Sequence, residues 1–173
     1  METTGLDPDT SEILEENVVV TNTRLEPWDS IHIVLHHSMN ILMVKSSSWC
    51  KRKFSYISHG GNGLFEECHF SITTHADANI MLWKFFEYYS RVLLAGNTVH
   101  FDRRFLVTHF PDLKRFLSHK NVDVTTLLEM AKRFRPDILA KTPRPSSTHR
   151  AKDDIIDSIK LYKFFKDKLF DNA

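Results

Sequence analysis

Val92-Leu93-Leu94-Ala95-Gly96-Asn97-Thr98-Val99-His100-Phe101-Asp102-Arg103-Arg104-Phe105 runs from a short apolar stretch, through Gly-Asn-Thr, into an amphipathic repeat that opens on a carboxylate. The apolar stretch predicts a buried strand over 92–95, and the repeat predicts a helix over 101–110, halted before Pro111. Amide N–H groups are free at a helix start, so an acid such as Asp102 is favoured there. A second segment, His149-Arg150-Ala151-Lys152-Asp153-Asp154, stands 47 residues after Asp102 and sets a histidine and a carboxylate at the front of another helix.

The chain on either side repeats the strand-then-helix theme. Residues 18–21 are β-branched and read as a buried strand, and 31–35 read as a second, after the turn signal Glu26-Pro27-Trp28-Asp29. Asn22-Thr23-Arg24-Leu25 looks like a tight reversal, which makes that pair antiparallel. A short helix carrying Trp49 is expected within 39–53, then a glycine-rich loop over 55–63. Residues 74–90 place Ala78, Met81, Leu82, Phe85, Phe86 and Tyr89 on one helical face. A turn or two is expected at 113–117, a short strand at 122–124, and a helix over 125–133. Pro136, Pro143 and Pro145 mark a loop before a last helix over 150–170, which should bury Ile155, Ile159 and Tyr162. The fold class is α/β, a mixed sheet flanked by helices, in one domain over 1–173.

Composition suits that picture. The 173 residues are 42% apolar and include 13 phenylalanines, enough for a packed core. No run approaches the roughly 20 apolar residues of a membrane span, and no secretory leader is expected ahead of the acidic start. Cys50 and Cys68 give no disulfide framework and read as reduced thiols of an intracellular protein, cytoplasmic or mitochondrial. Residues 1–30 hold eight acidic side chains and one basic; the remainder hold 22 basic and 14 acidic. A basic body around a local acidic site suits a polyanion whose scissile phosphate is held through cations.

Asp102, Asp154 and Glu2 supply oxygen donors of the kind hard divalent ions prefer. Two such ions about 4 Å apart can activate water and stabilise a leaving oxygen in phosphodiester cleavage. His149, five residues before Asp154, is a candidate for taking the proton from that water. Asp153 is adjacent to Asp154 and must point elsewhere. The histidines from 32 to 37 do not make a convincing zinc set.

Four segments carry a specific resemblance. Met1-Glu2-Thr3-Thr4-Gly5-Leu6-Asp7 resembles the first motif of the oligoribonuclease family, part of a larger group of exonucleases with four acidic residues and a catalytic histidine. Gly96 to Leu106 matches the second motif, Asn121-Val122-Asp123-Val124-Thr125-Thr126 resembles the segment after it, and Thr148-His149-Arg150-Ala151-Lys152-Asp153-Asp154-Ile155 resembles the third. The likeness implies an RNase H-like fold and a homodimer. It implies 3′ to 5′ hydrolysis of short single-stranded RNA to nucleoside 5′-monophosphates, with two Mg2+ or Mn2+ ions. Carried over by position, Glu2, Asp102 and Asp154 are metal ligands and His149 the general base. Leu6 wedges against terminal bases, and Trp49 lies near the substrate pocket, although core packing suits it equally.

Departures from the family pattern set further expectations. The first motif's aspartate should stand two residues before Glu2, so an N-terminally incomplete domain is expected. It would lack the usual first central strand, with Glu2 displaced and activity weak or absent. The alternative is an inactive oligonucleotide-binding or dimeric interaction protein of the same descent. Glu16 stands where the family has a buried apolar residue, which predicts either an exposed strand start or lost packing. His119 replaces a tyrosine of the substrate site, and Met39 an acidic residue.

Overall fold

The first strand is two residues long. A computed structural model of the chain describes residues 1–169, and in it β1 (Glu2–Thr3) pairs antiparallel with β2 (Ile13–Thr21), Glu2 opposite Glu15. β2 in turn pairs antiparallel with β3 (Pro27–Val34), Val18 opposite Ile31. The expected pair is therefore present, but both strands are longer than their β-branched centres. Glu15 to Asn17 extend β2 because their backbone groups complete the ladder whatever their side chains. The turn signal at Pro27 falls inside β3, where its lack of an N–H is tolerated at the first strand residue.

The expected single helix within 39–53 is two, α1 (Met39–Lys45) and α2 (Ser48–Lys53). Ser38 and Ser47 each cap one with a side-chain oxygen, which restarts the helix after Ser46. A short 3-10 turn over Ile57–His59 occupies part of the glycine-rich loop. α3 (Leu64–Phe70) follows, a helix the sequence reading did not anticipate, and α4 (His75–Phe86) begins at a capping box of Thr74 and Asp77. α4 buries Ala78, Leu82 and Phe86 but leaves Met81 at 39% exposure.

β4 (Val92–Gly96) leads into α5 (His100–His109), and a 3-10 turn over Pro111–Arg115 leads to β5 (Leu117–Asp123). β4 and β5 are parallel, as the intervening crossover requires, with Gly96 opposite Asp123. β4 is not the buried strand expected: Leu93 is 53% exposed, and among the described residues β4 has β5 as its single ladder partner. β5 begins five residues before the expected 122, drawn out by that pairing. α6 (Val124–Phe134) is capped by Asp123, and Pro136 opens α7 (Pro136–Leu139) instead of marking a loop, since proline suits a first helical turn. α8 (Ala151–Leu169) closes the described chain; the expected end at Phe170 lies outside the described residues. On α8 the fully covered side chains are Ala151 and Phe165, while Ile155, Ile159 and Tyr162 are half-buried.

The architecture is mixed α/β with helices over the strands, as expected. The strands, however, form two sheets among the described residues, β1-β2-β3 antiparallel and β4-β5 parallel. β2 organises the packing because the neighbours Ile13 and Leu14 face opposite sides. Ile13 packs with Ile33, Leu82, Phe86, Phe105 and Phe110, whereas Leu14 packs with Leu42, Phe54, Leu64, Phe65 and Cys68. A third cluster joins Val124 and Ala131 of α6 to Ile138 and Phe165. Both cysteines are buried and unpaired. Among the described residues no helix is long and apolar enough to cross a membrane.

Candidate active site

Asp102 sits in the first turn of α5, and the turn before it is held from outside. Thr98 adopts a left-handed φ of 54°, and its N–H donates to Asp123 Oδ1 at 3.0 Å and to Thr125 Oγ1 at 2.9 Å. The end of β4 is thereby fixed to the start of α6. Asp154 occupies the first turn of α8, with its N–H on the Arg150 carbonyl at 3.0 Å. Glu2, on β1, is buried instead of displaced, because pairing opposite Glu15 holds its backbone in place.

These acids influence one another. Asp154 lies near enough to Glu2 for its charge and its carboxyl to favour a proton on Glu2. Burial, opposed by the Met1 ammonium and reinforced by the charge of Asp154, pushes the Glu2 carboxyl up to about 8. Burial likewise raises Asp102, against the pull of the Met1 ammonium, whose nitrogen is 3.5 Å from Asp102 Oδ1. Glu2, Asp102 and Asp154 all act on that ammonium, so the three candidate acids converge on one region of the fold.

Their oxygen chemistry suits a hard divalent ion. As placed, among the described residues no group of three or more His, Cys, Asp or Glu side chains is set to hold a metal.

His149 precedes α8 with a left-handed φ of 51° and meets the Trp49 ring edge-on at 5.1 Å between centroids. Trp49 is 46% exposed, so it is not the core residue that one reading allowed. Leu6 is 80% exposed in the turn after β1. His119 is exposed on β5, and Asp153 turns away from the acids to accept from Thr148 Oγ1 at 2.8 Å. The β4–α5 turn also lines an open groove of about 500 Å³ with His100, Asp123, Thr125 and Arg133.

The sequence reading missed the group that seats α8. Glu15, 1% exposed, accepts from Arg150 Nη2 at 2.9 Å, from the Ala151 N–H at 2.8 Å and from His32 Nε2 at 2.8 Å. Arg150 also grips Glu67 of α3 at 2.7 and 2.6 Å. The signal available in the sequence was an arginine next to the candidate base and a glutamate inside a strand. Neither names its partner. Glu16, next along β2, is 4% exposed, so the exposed-strand explanation fails: its side chain points toward the face covered by α5.

An exonuclease family model matches residues 1–162. The chain is 33% identical over 173 residues to an oligoribonuclease of Marinobacter nauticus, covering 98% of this chain and 93% of that protein. It is 33% identical over 170 residues to an oligoribonuclease of Pseudomonas syringae pv. tomato, covering 96% and 91%. Against an oligoribonuclease of Neisseria meningitidis serogroup C it is 30% identical over 176 residues, covering 100% and 91%. Likeness of that extent is beyond chance: the chain belongs to the exonuclease family.

Proposed function

We propose that the chain is a single-domain 3′ to 5′ exoribonuclease that hydrolyses short single-stranded RNA to nucleoside 5′-monophosphates. The observation that carries this is the convergence of Glu2, Asp102 and Asp154, with His149 leading into the helix that bears Asp154. In this reading Glu2, Asp102 and Asp154 would be the residues that hold Mg2+ or Mn2+, as a pair of ions. Such ions supply charge neutralisation at the phosphate and a more acidic water. His149 takes the proton of the attacking water. Exposed Leu6 and half-exposed Trp49 contact the bases, and His119 lies at the edge of the substrate site. Unpaired Cys50 and Cys68 suit an intracellular setting. The proposal includes a homodimer, supported by the exposed apolar Phe70 and Ile72 at 72% and 92%, and light scattering of the purified chain tests it.

Incubation with a labelled RNA dinucleotide and manganese tests the activity. Metal-dependent release of mononucleotide that disappears in Asp154→Ala supports the enzyme. Saturable binding with no release would replace it with an oligonucleotide-binding protein.

A further inference from the structure

Asn62 lies in the glycine-rich loop, 87 residues from His149. That loop is rigid for local reasons. Gly60 and Gly63 take φ values of +82° and +83°, which L side chains rarely adopt, and a Cβ on Gly61 would fall 2.2 Å from the Ser55 carbonyl oxygen. The Asn62 N–H donates to the Lys53 carbonyl at 2.8 Å and the Gly63 N–H to the Ser55 carbonyl at 2.9 Å. Asn62 is therefore presented from a fixed platform.

Its amide has one consistent orientation. Oδ1 accepts the Leu64 N–H at 3.1 Å, so Nδ2 faces the other way. Nδ2 donates to the carbonyls of Thr148 at 3.0 Å and His149 at 2.8 Å. In extended backbone successive carbonyls point to opposite sides, so one donor group cannot reach both. The left-handed φ of 51° at His149 lets them share a side. For a non-glycine residue that conformation is unfavourable and persists only where the surroundings impose it. Lys53 Nζ holds the next carbonyl back, Ser147, at 2.7 Å, and Glu15 holds the Ala151 N–H on the far side.

We infer that Asn62 is a positioning residue for His149: its single amide group spans the two carbonyls flanking the His149 Cα and holds the backbone conformation that aims the imidazole. This rests on the reading of His149 as the general base. Asn62 itself touches no reacting atom.

Two measurements test it. In the dinucleotide assay, Asn62→Ala should lower kcat about 10-fold with KM held within about twofold, the scale of one or two lost hydrogen bonds. Asn62→Asp, nearly the same size, should be slower still, because an oxygen then faces two carbonyl oxygens. The double variant Asn62→Ala/His149→Ala should be no slower than His149→Ala. Wild-type turnover in Asn62→Asp, or additive losses in the double variant, would overturn the inference. Independently of turnover, the His149 ring-proton resonance, assigned by its loss in His149→Ala, feels the Trp49 ring. It should move toward its unstructured position in Asn62→Ala, and an unmoved resonance would overturn the inference. If His149→Ala turns over as fast as the unmodified chain, the base assignment fails by itself, and the resonance still reports whether Asn62 holds the ring.

Discussion

Arg150 is bound to Glu15 through Nη2 at 2.9 Å and Nε at 3.2 Å, a contact that joins residues 135 apart and seats the front of α8 on β2. The same guanidinium reaches Glu67, so one side chain ties α8 to α3 as well. Glu15 is almost fully covered, and its charge is tolerable only because each oxygen has donors. Removing the arginine leaves that charge buried with two donors instead of four. Arg150→Met should destabilise the fold by about 3 kcal/mol in urea unfolding. A loss below that of an ordinary surface substitution would show that the contact is not structural.

Acid should expose the same contact. Burial tends to raise the Glu15 carboxyl, but the hydrogen bonds from Arg150, Ala151 and His32 outweigh it and hold the group below its ordinary value of 4.5. A carboxyl depressed in the folded state contributes stability that is complete above the unfolded value and is lost as pH falls through the folded one. Melting temperature should therefore fall as pH drops below about 4.5. Glu15→Gln should be less stable at pH 7 and should show a shallower acid slope, read by calorimetry across the acid range.

Glu16 should behave in the opposite sense. It is buried, its Oε2 has no hydrogen-bond partner, and burial, opposed by the Met1 ammonium and reinforced by Asp102 and Glu15, pushes it up to about 8. Between 4.5 and about 8 the folded chain holds a proton that the unfolded chain has released, so stability declines as pH rises through that window. Glu16→Ile removes a buried, unsatisfied polar atom and should stabilise by about 1–3 kcal/mol. The gain should grow from pH 5 to pH 8. A variant whose melting temperature runs parallel to that of the unmodified chain over this range would contradict the assignment.

His149→Ala should lower hydrolysis of a short RNA by roughly 10² or more while leaving RNA binding largely intact. Single-turnover rates and a separate binding titration distinguish these two effects.

Trp49→Ala should act on binding. Loss of one base-stacking aromatic typically weakens binding by about 1–3 kcal/mol, so KM for the dinucleotide should rise by roughly 10-fold. Trp49 also packs on His149 in a T-shaped contact, so a smaller fall in kcat should accompany it. A KM unchanged in this variant would assign the ring to packing alone.

Much of the fold was legible because local patterns encode it. Apolar spacing marked α4 through Ala78, Leu82 and Phe86, and the Gly-Asn-Thr break with its acidic helix start marked the β4–α5 turn. The order of the motifs around Glu2, Asp102, His149 and Asp154 identified the family, which the relatives then showed. Strand lengths were less legible: ladder hydrogen bonds belong to the backbone, so Glu15 and Glu16 sit in β2 against their side-chain preference.

Burial and long-range pairing were decided by the tertiary structure alone. Leu93 looked like a core residue and is half-exposed, because β4 has one ladder neighbour among the described residues. Glu16 looked like a candidate for exposure and is covered. Glu15 with Arg150, and Asn62 with His149, meet across 135 and 87 residues. A hydrogen bond forms where the folded backbone brings a donor to an acceptor, and no spacing along the chain records that meeting. Residue types and their order were thus enough to name the candidate chemistry, while the three-dimensional packing chose which side chains hold it in place.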